Sequence, residues 1–125
     1  MAGKKTLVIG ASVNAERYSN KAIKKLNKYG HEVVALGNRE GVIEDTLGNT
    51  PISKELLPHQ NVHSVTLYLS SKNQENYLDY ILSLKPKRVI FNPGTENTDF
   101  YTTLEKHEIE HLEACTLVML SLDSY

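Results

Sequence analysis

The sequence holds a single cysteine, Cys115, so no disulfide can form within the chain. It has no excess of charge of either sign. Fourteen basic residues against fifteen acidic ones leave a formal net charge of -1, which provides no field to hold a polyanion such as DNA. Nucleic acid is therefore not expected as a partner. Long apolar runs are absent as well: Thr6-Leu7-Val8-Ile9 and Val89-Ile90-Phe91 fall far short of the roughly 20 residues that span a bilayer, so no membrane role is expected. No charged leader followed by an apolar run opens the chain, and together with the lone cysteine this reads as a cytoplasmic protein. There is no internal repeat, low-complexity tract or long linker. A chain of 125 residues split into two cores would leave each half too small to bury enough apolar surface, so one domain over residues 1–125, with one site, is expected.

What is present alternates between two periods. Leu7-Val8-Ile9, Val33-Val34-Ala35-Leu36, Val65-Thr66-Leu67-Tyr68-Leu69 and Val89-Ile90-Phe91 are short runs rich in β-branched residues, the kind that become strands buried on both faces. A fifth strand is expected around Glu110 to Ala114, while Gly37 to Pro58 reads as a loop-rich interlude. Ala22, Ile23, Leu26 and Tyr29 draw an apolar stripe along a first helix, which Gly30 would end as a left-handed cap. Ser71 and Gln74 have capping-box spacing, and Tyr77, Leu78, Ile81 and Leu84 continue the period of a second helix until Pro86 stops it. Phe100, Tyr101 and Leu104 predict a third, opened by Asn97 or Thr98 and running through Lys106. Parallel neighbours need a long crossover, which a helix supplies. The pattern predicts an α/β, Rossmann-like three-layer domain with a parallel sheet of about five strands.

In such a fold the first strand-to-helix turn is where a ligand phosphate meets unpaired backbone N–H groups and the positive end of a helix dipole. That turn follows Ile9. Gly10 lets the chain turn tightly and Ala11 and Ser12 keep bulk away, while Ser12, Asn14 and Ser19 offer donors and Arg17 and Lys21 offer charge. The plain alternative is a structural turn, but its position after the first strand favours an anion site. The dinucleotide fingerprint is incomplete: Ser12 and Ala15 stand where G-x-G-x-x-G needs its second and third glycines, and the second strand ends in Leu36-Gly37-Asn38 without the acidic residue that binds a ribose diol. NAD is disfavoured on these grounds. No Gly-Lys-Ser/Thr ending follows Gly10, so hydrolysis of ATP or GTP has no sequence basis.

Gly10-Ala11-Ser12, Arg17-Tyr18-Ser19 and the later Asn92-Pro93-Gly94 together resemble the CoA-binding domain family, whose small stand-alone members are similar to the N-terminal domain of the succinyl-CoA synthetase α subunit. The resemblance runs from Lys5 to about Leu120. It implies that the first loop, at Gly10, Ser12, Asn14, Arg17 and Ser19, cradles the phosphates of coenzyme A or an acyl-CoA. It implies further that Asn38 lies by the adenosine end, and that Leu69, Ser70, Pro93 and Gly94 border the pantetheine arm. Many members carry Asn-Pro where this chain has Gly37-Asn38-Arg39. It also implies a binding module without catalysis of its own, because the phosphorylated histidine of the synthetase lies in a second domain absent from these 125 residues.

Nothing else in the sequence replaces that histidine. His107 and His111 stand at i, i+4, but Glu108-Ile109-Glu110 between them does not reproduce a zincin motif, and solvated helix-end histidines are the better reading. Glu105, Glu108 and Glu110 flank Lys106 in what reads as a solvated charged face. Cys115 would lie at the C-terminal edge of the fifth strand, where a thiol could meet a ligand thiol; the simpler reading is a small buried hydrophobe. Tyr18, Tyr68 and Tyr101 could each stack on an adenine, and only Tyr18 has a position that supports it. Two other classes stay open: an NAD(P)-binding redox sensor or small oxidoreductase on the same fold, and a subunit serving mainly for association, as a homodimer or docked on an acyl-CoA enzyme.

Overall fold

The computed structural model describes residues 3–125. The chain forms β1 (Thr6–Ile9), α1 (Tyr18–Lys28), β2 (Val33–Leu36), β3 (Gly41–Ile43), β4 (Thr50–Ser53), β5 (Ser64–Leu67), α2 (Ser71–Gln74), a 3-10 turn (Glu75–Tyr77), α3 (Leu78–Leu84), β6 (Arg88–Phe91), α4 (Thr98–Lys106), β7 (Glu110–Glu113) and α5 (Thr116–Ser121). The strands make one sheet in the order β3-β4-β2-β1-β5-β6-β7, and every neighbouring pair is parallel except β3 with β4.

Every residue of β1, β5 and β6 is buried, as expected of central parallel strands covered on both faces. Alternation divides them between two cores. Leu7, Ile9, Val65, Leu67, Val89 and Phe91 pack under α3 and α4 against Ile81, Phe100 and Leu104. On the opposite face Val8 and Ala35 meet Ile23 and Leu26 of α1 and Leu120 of α5. These two faces give the three layers that the alternation predicts.

Several expectations change in detail. The sheet has seven strands, not about five, because the segment from Gly37 to Pro58 folds back as an antiparallel arm that adds β3 and β4 beyond β2. Its strands are three and four residues long and include Pro51, too short and too interrupted to show a period, yet Ile43 and Ile52 are both 3 % exposed in the core. The second helix is broken. Ser70, not Ser71, occupies its N-cap and no side chain caps it; the helix tightens to a 3-10 turn at Glu75–Tyr77 before α3 resumes the stripe. Gln74, expected to complete a capping box, turns inward instead and is wholly buried. Lys85 then ends α3 as a left-handed C-cap at φ +51, ahead of Pro86, which cannot continue the helix. Gly30 ends α1 at φ +83, and Asn97 caps α4 by accepting the Phe100 N–H at 3.1 Å.

The C-terminal segment carries structure that no period in the sequence predicts. Thr116–Ser121 forms α5, which lies beside α1 and buries Thr116 and Leu120. After it the chain returns to the N-terminal edge of the sheet, where the Tyr125 hydroxyl meets Thr6 Oγ1 at 2.6 Å. Among the described residues no helix is long and apolar enough to cross a membrane.

Candidate functional site

A cleft of about 700 Å³ opens at the C-terminal ends of β1, β2, β5 and β6. That is within the range of small-molecule sites, and it is where open parallel sheets bind ligands. One side is the loop after β1. Gly10 has φ +96, and a Cβ there would lie 2.9 Å from the Tyr68 carbonyl oxygen, so both backbone conformation and space require glycine. A Cβ on Gly37 would come within 2.4 Å of the Ala11 carbonyl oxygen, so the loops after β1 and β2 touch through backbone.

This loop is braced from within. The N–H groups of Gly10 and Ala11 both donate to the Leu36 carbonyl, at 2.9 and 2.8 Å, and are not free to meet a ligand. The free donors lie further on. Asn20, 1 % exposed, donates its Nδ2 to the Ser12 carbonyl at 2.9 Å; the Asn14 N–H donates to Ser12 Oγ, and the Glu16 N–H to Asn14 Oδ1. Arg17 stands at the N-cap of α1 in extended conformation, with no side-chain cap and no acidic residue in the first turn. The amides of Tyr18, Ser19 and Asn20 therefore have no intrahelical acceptor, and no carboxylate within the first turn compensates the positive end of the dipole. Lys25 and Lys28 compensate only the opposite end.

The cleft continues over the end of β2, where Asn38, Arg39 and Glu40 are exposed along its border. Its far wall is made by Tyr68, Leu69 and Ser70 after β5 and by Pro93, Gly94 and Thr95 after β6, with Tyr77 between them. Asn92 fixes this wall from below. Only 2 % exposed, it donates Nδ2 to Thr66 Oγ1 at 2.7 Å and to the Leu67 carbonyl at 2.8 Å, while its Oδ1 accepts the Thr116 N–H at 2.9 Å. The Gly94 N–H is already bonded to the Glu96 carboxylate at 3.0 Å. Tyr68 presents a buried hydroxyl without a hydrogen-bond partner among the described residues. Thr66 and Thr116 stand near it, but their hydroxyls bond to each other at 2.8 Å. Burial first, and then the adjacent Cys115 thiol, raise the Tyr68 phenol well above its usual pKa, so it stays neutral.

Of the residues singled out in the sequence, the structure gathers those of the first loop from Gly10 through Ser19, Asn38 after β2, Leu69 and Ser70 after β5, and Pro93 and Gly94 after β6 along one cleft. Lys21 and Cys115 do not line it. The Lys21 ammonium lies 5.4 Å over the Tyr18 ring, and Cys115 is the half-buried N-cap of α5. Sequence reasoning missed Arg39, Tyr77 and Thr95. Arg39 adjoins Asn38 and is signalled by charge alone, whereas Tyr77 falls within the apolar stripe of a helix, which hides it. The two spaced histidines are engaged elsewhere: His107 Nδ1 lies 2.9 Å from the Thr103 carbonyl, and His111 stacks on Tyr101 at 4.5 Å and pairs with Glu105 at 3.0 Å.

Comparison with solved structures agrees with this architecture. An uncharacterized protein of known crystal structure is 42 % identical over the whole of both chains, with a TM-score of 0.93. A protein from Thermus thermophilus is 20 % identical, covering 98 % of this chain and 91 % of its own, at TM-score 0.81. A hypothetical protein from Pyrococcus horikoshii is 21 % identical over 96 % of this chain and 83 % of its own, also at 0.81. The last two show a shared fold. Among curated proteins none matches. The family model described as a CoA binding domain matches residues 4–121, nearly the whole chain and every wall of the cleft, and the chain belongs to that family.

Proposed function

We propose that this protein binds coenzyme A or an acyl-CoA in the cleft as a single-domain cytoplasmic module, and that it has no catalytic activity of its own. The observation that carries the reading is the uncapped N-terminus of α1 opening into a long cleft bordered by Arg17 and Arg39. The diphosphate lies against the free amides of the first turn of α1, with Ser12, Asn14 and Ser19 as hydroxyl and amide partners and Arg17 as counter-charge. The adenosine end, with its ribose phosphate, lies over Asn38 and Arg39. Pantetheine crosses Leu69 and Ser70 toward Pro93, Gly94 and Thr95. This family's ligand chemistry and the cleft's composition agree: its border carries two arginines and one carboxylate, Glu40, and its lining pairs no nucleophile with a base.

Isothermal titration with CoA, with NAD, NADP and ATP as controls, tests the reading. CoA should bind at micromolar concentration. Arg17→Ala, which removes one charge-assisted phosphate contact, should weaken it roughly tenfold. No binding of CoA, or a preference for NAD or NADP, overturns the proposal.

A further inference from the structure

We propose that Gln74 is a positioning residue that sets the separation of the two loops forming the far wall of the cleft. This rests on the ligand reading above. Gln74 is 0 % exposed, although it sits on a four-residue helix whose other members are all exposed. Burying an amide side chain is costly unless its polar atoms find partners, and here they do. Its Nε2 donates to the Leu69 carbonyl at 2.9 Å and to the Thr95 carbonyl at 2.7 Å; its Oε1 accepts Asn97 Nδ2 at 3.0 Å.

The identity of those carbonyls matters. Leu69 belongs to the loop after β5 and Thr95 to the loop after β6, and both line the cleft. Backbone pairing between β5 and β6 ends at Leu67 with Phe91, and Asn92 adds one further bond back to the Leu67 carbonyl. Beyond that point the two loops are joined by the Gln74 amide. A second hollow of about 270 Å³ lies beside Gln74 between α2 and α4. Leu69 packs on the core and Thr95 is buried, so each loop is seated by packing, while the Gln74 amide supplies the polar link from one to the other. Asn97, which accepts the Phe100 N–H as the cap of α4, steadies the amide from that side. Only an amide supplies two N–H donors and one acceptor in this arrangement. The adenosine end of the ligand, at Asn38 and Arg39, is remote from this tie, whereas pantetheine would run beside it.

The role predicts a split between two ligands. Gln74→Glu keeps the shape but faces two carbonyls with an acceptor, and Gln74→Met keeps the bulk without donors. Titrated with CoA, both variants should bind roughly tenfold more weakly than wild type, the scale of one or two lost hydrogen bonds. Titrated with adenosine 3′,5′-bisphosphate, which lacks the pantetheine arm, they should match wild type within about twofold. A merely structural role would weaken both ligands alike, and that result, or no change for either, overturns the proposal. Wild-type protein that binds neither ligand overturns the ligand reading, and the role falls with it. Should the variants fail to fold, hydrogen exchange on wild type decides: CoA should slow exchange in both loops, at Leu69–Ser70 and at Thr95–Glu96, and protection of one loop or neither counts against the tie.

Discussion

The guanidinium of Arg88 lies 4.5 Å from the centre of the Tyr125 ring, joining the start of β6 to the last residue of the chain. Arg88 is 8 % exposed, its Nε donates to Ser64 Oγ at 2.6 Å, and one terminal nitrogen has no protein partner among the described residues. The π face of Tyr125 is therefore a principal compensation for a buried cation. The Lys4 ammonium donates to the Tyr125 carbonyl oxygen, and the His31 ring lies 4.9 Å from that of Tyr125.

Removing the ring should be felt by the whole fold. Tyr125→Ala is expected to cost about 2 kcal/mol, the scale of a desolvated cation–π contact. Tyr125→Phe, which keeps the ring but loses the bond to Thr6, should cost about 1 kcal/mol. Urea denaturation of the three proteins gives both numbers, and an alanine variant as stable as wild type would show that the contact contributes nothing.

The same edge of the sheet should respond to acid. Burial first, then the charges of Lys4 and Arg88, hold His31 below its usual value of 6.5; its Nδ1 accepts the Lys4 N–H at 2.8 Å, which requires the neutral ring. Burial, then Arg88, Lys4 and Lys87, lower His63 too, with Glu110 opposing. A histidine whose folded pKa lies below its unfolded one contributes stability that is complete above the unfolded value and is lost as pH falls through the folded one. The denaturation midpoint should therefore be flat above about pH 7 and decline below about 6. His31→Gln should reduce that decline, and an unchanged slope would remove His31 from the account.

Gly10 offers a test that needs no ligand. Gly10→Ala introduces a Cβ at φ +96 and within 2.9 Å of the Tyr68 carbonyl. The strain should lower stability by about 1–3 kcal/mol, and thermal unfolding reads it directly. Gly94→Ala has a positive φ of +91 but open space around it, so its loss should be smaller.

Where the sequence is legible, a period or a breaker repeats. The runs of β1, β2, β5 and β6 could be read because each is a short apolar block bounded by turn residues; Gly30 and Pro86 mark helix ends by their backbone chemistry and Asn97 by its capping side chain. The β3–β4 arm was not legible, since three residues such as Gly41-Val42-Ile43 carry no period and their burial depends on Ile23 and Leu26 arriving from a distant helix. Helix α5 was hidden for the same reason: six residues with a single fully buried leucine give no stripe. The floor of the cleft could be found because glycine after a first strand has few other uses. Gln74 looked like half of a capping box, and only tertiary structure reveals that both its amide hydrogens face carbonyls of separate loops.

The two bonds from Gly10 and Ala11 to the Leu36 carbonyl bear on how fast the cleft can fill as well as on its shape. They hang the start of the first loop on a central strand, so the geometry at Gly10 and Ala11 is inherited from the sheet and owes nothing to a ligand. If the cleft binds as proposed, this part of its wall needs no rearrangement at encounter, and the ordering entropy to be lost lies in the exposed side chains of Arg17 and Arg39. Under that reading, capture would be governed by diffusion and by the pull of two arginines, and discrimination would come from how long each ligand stays.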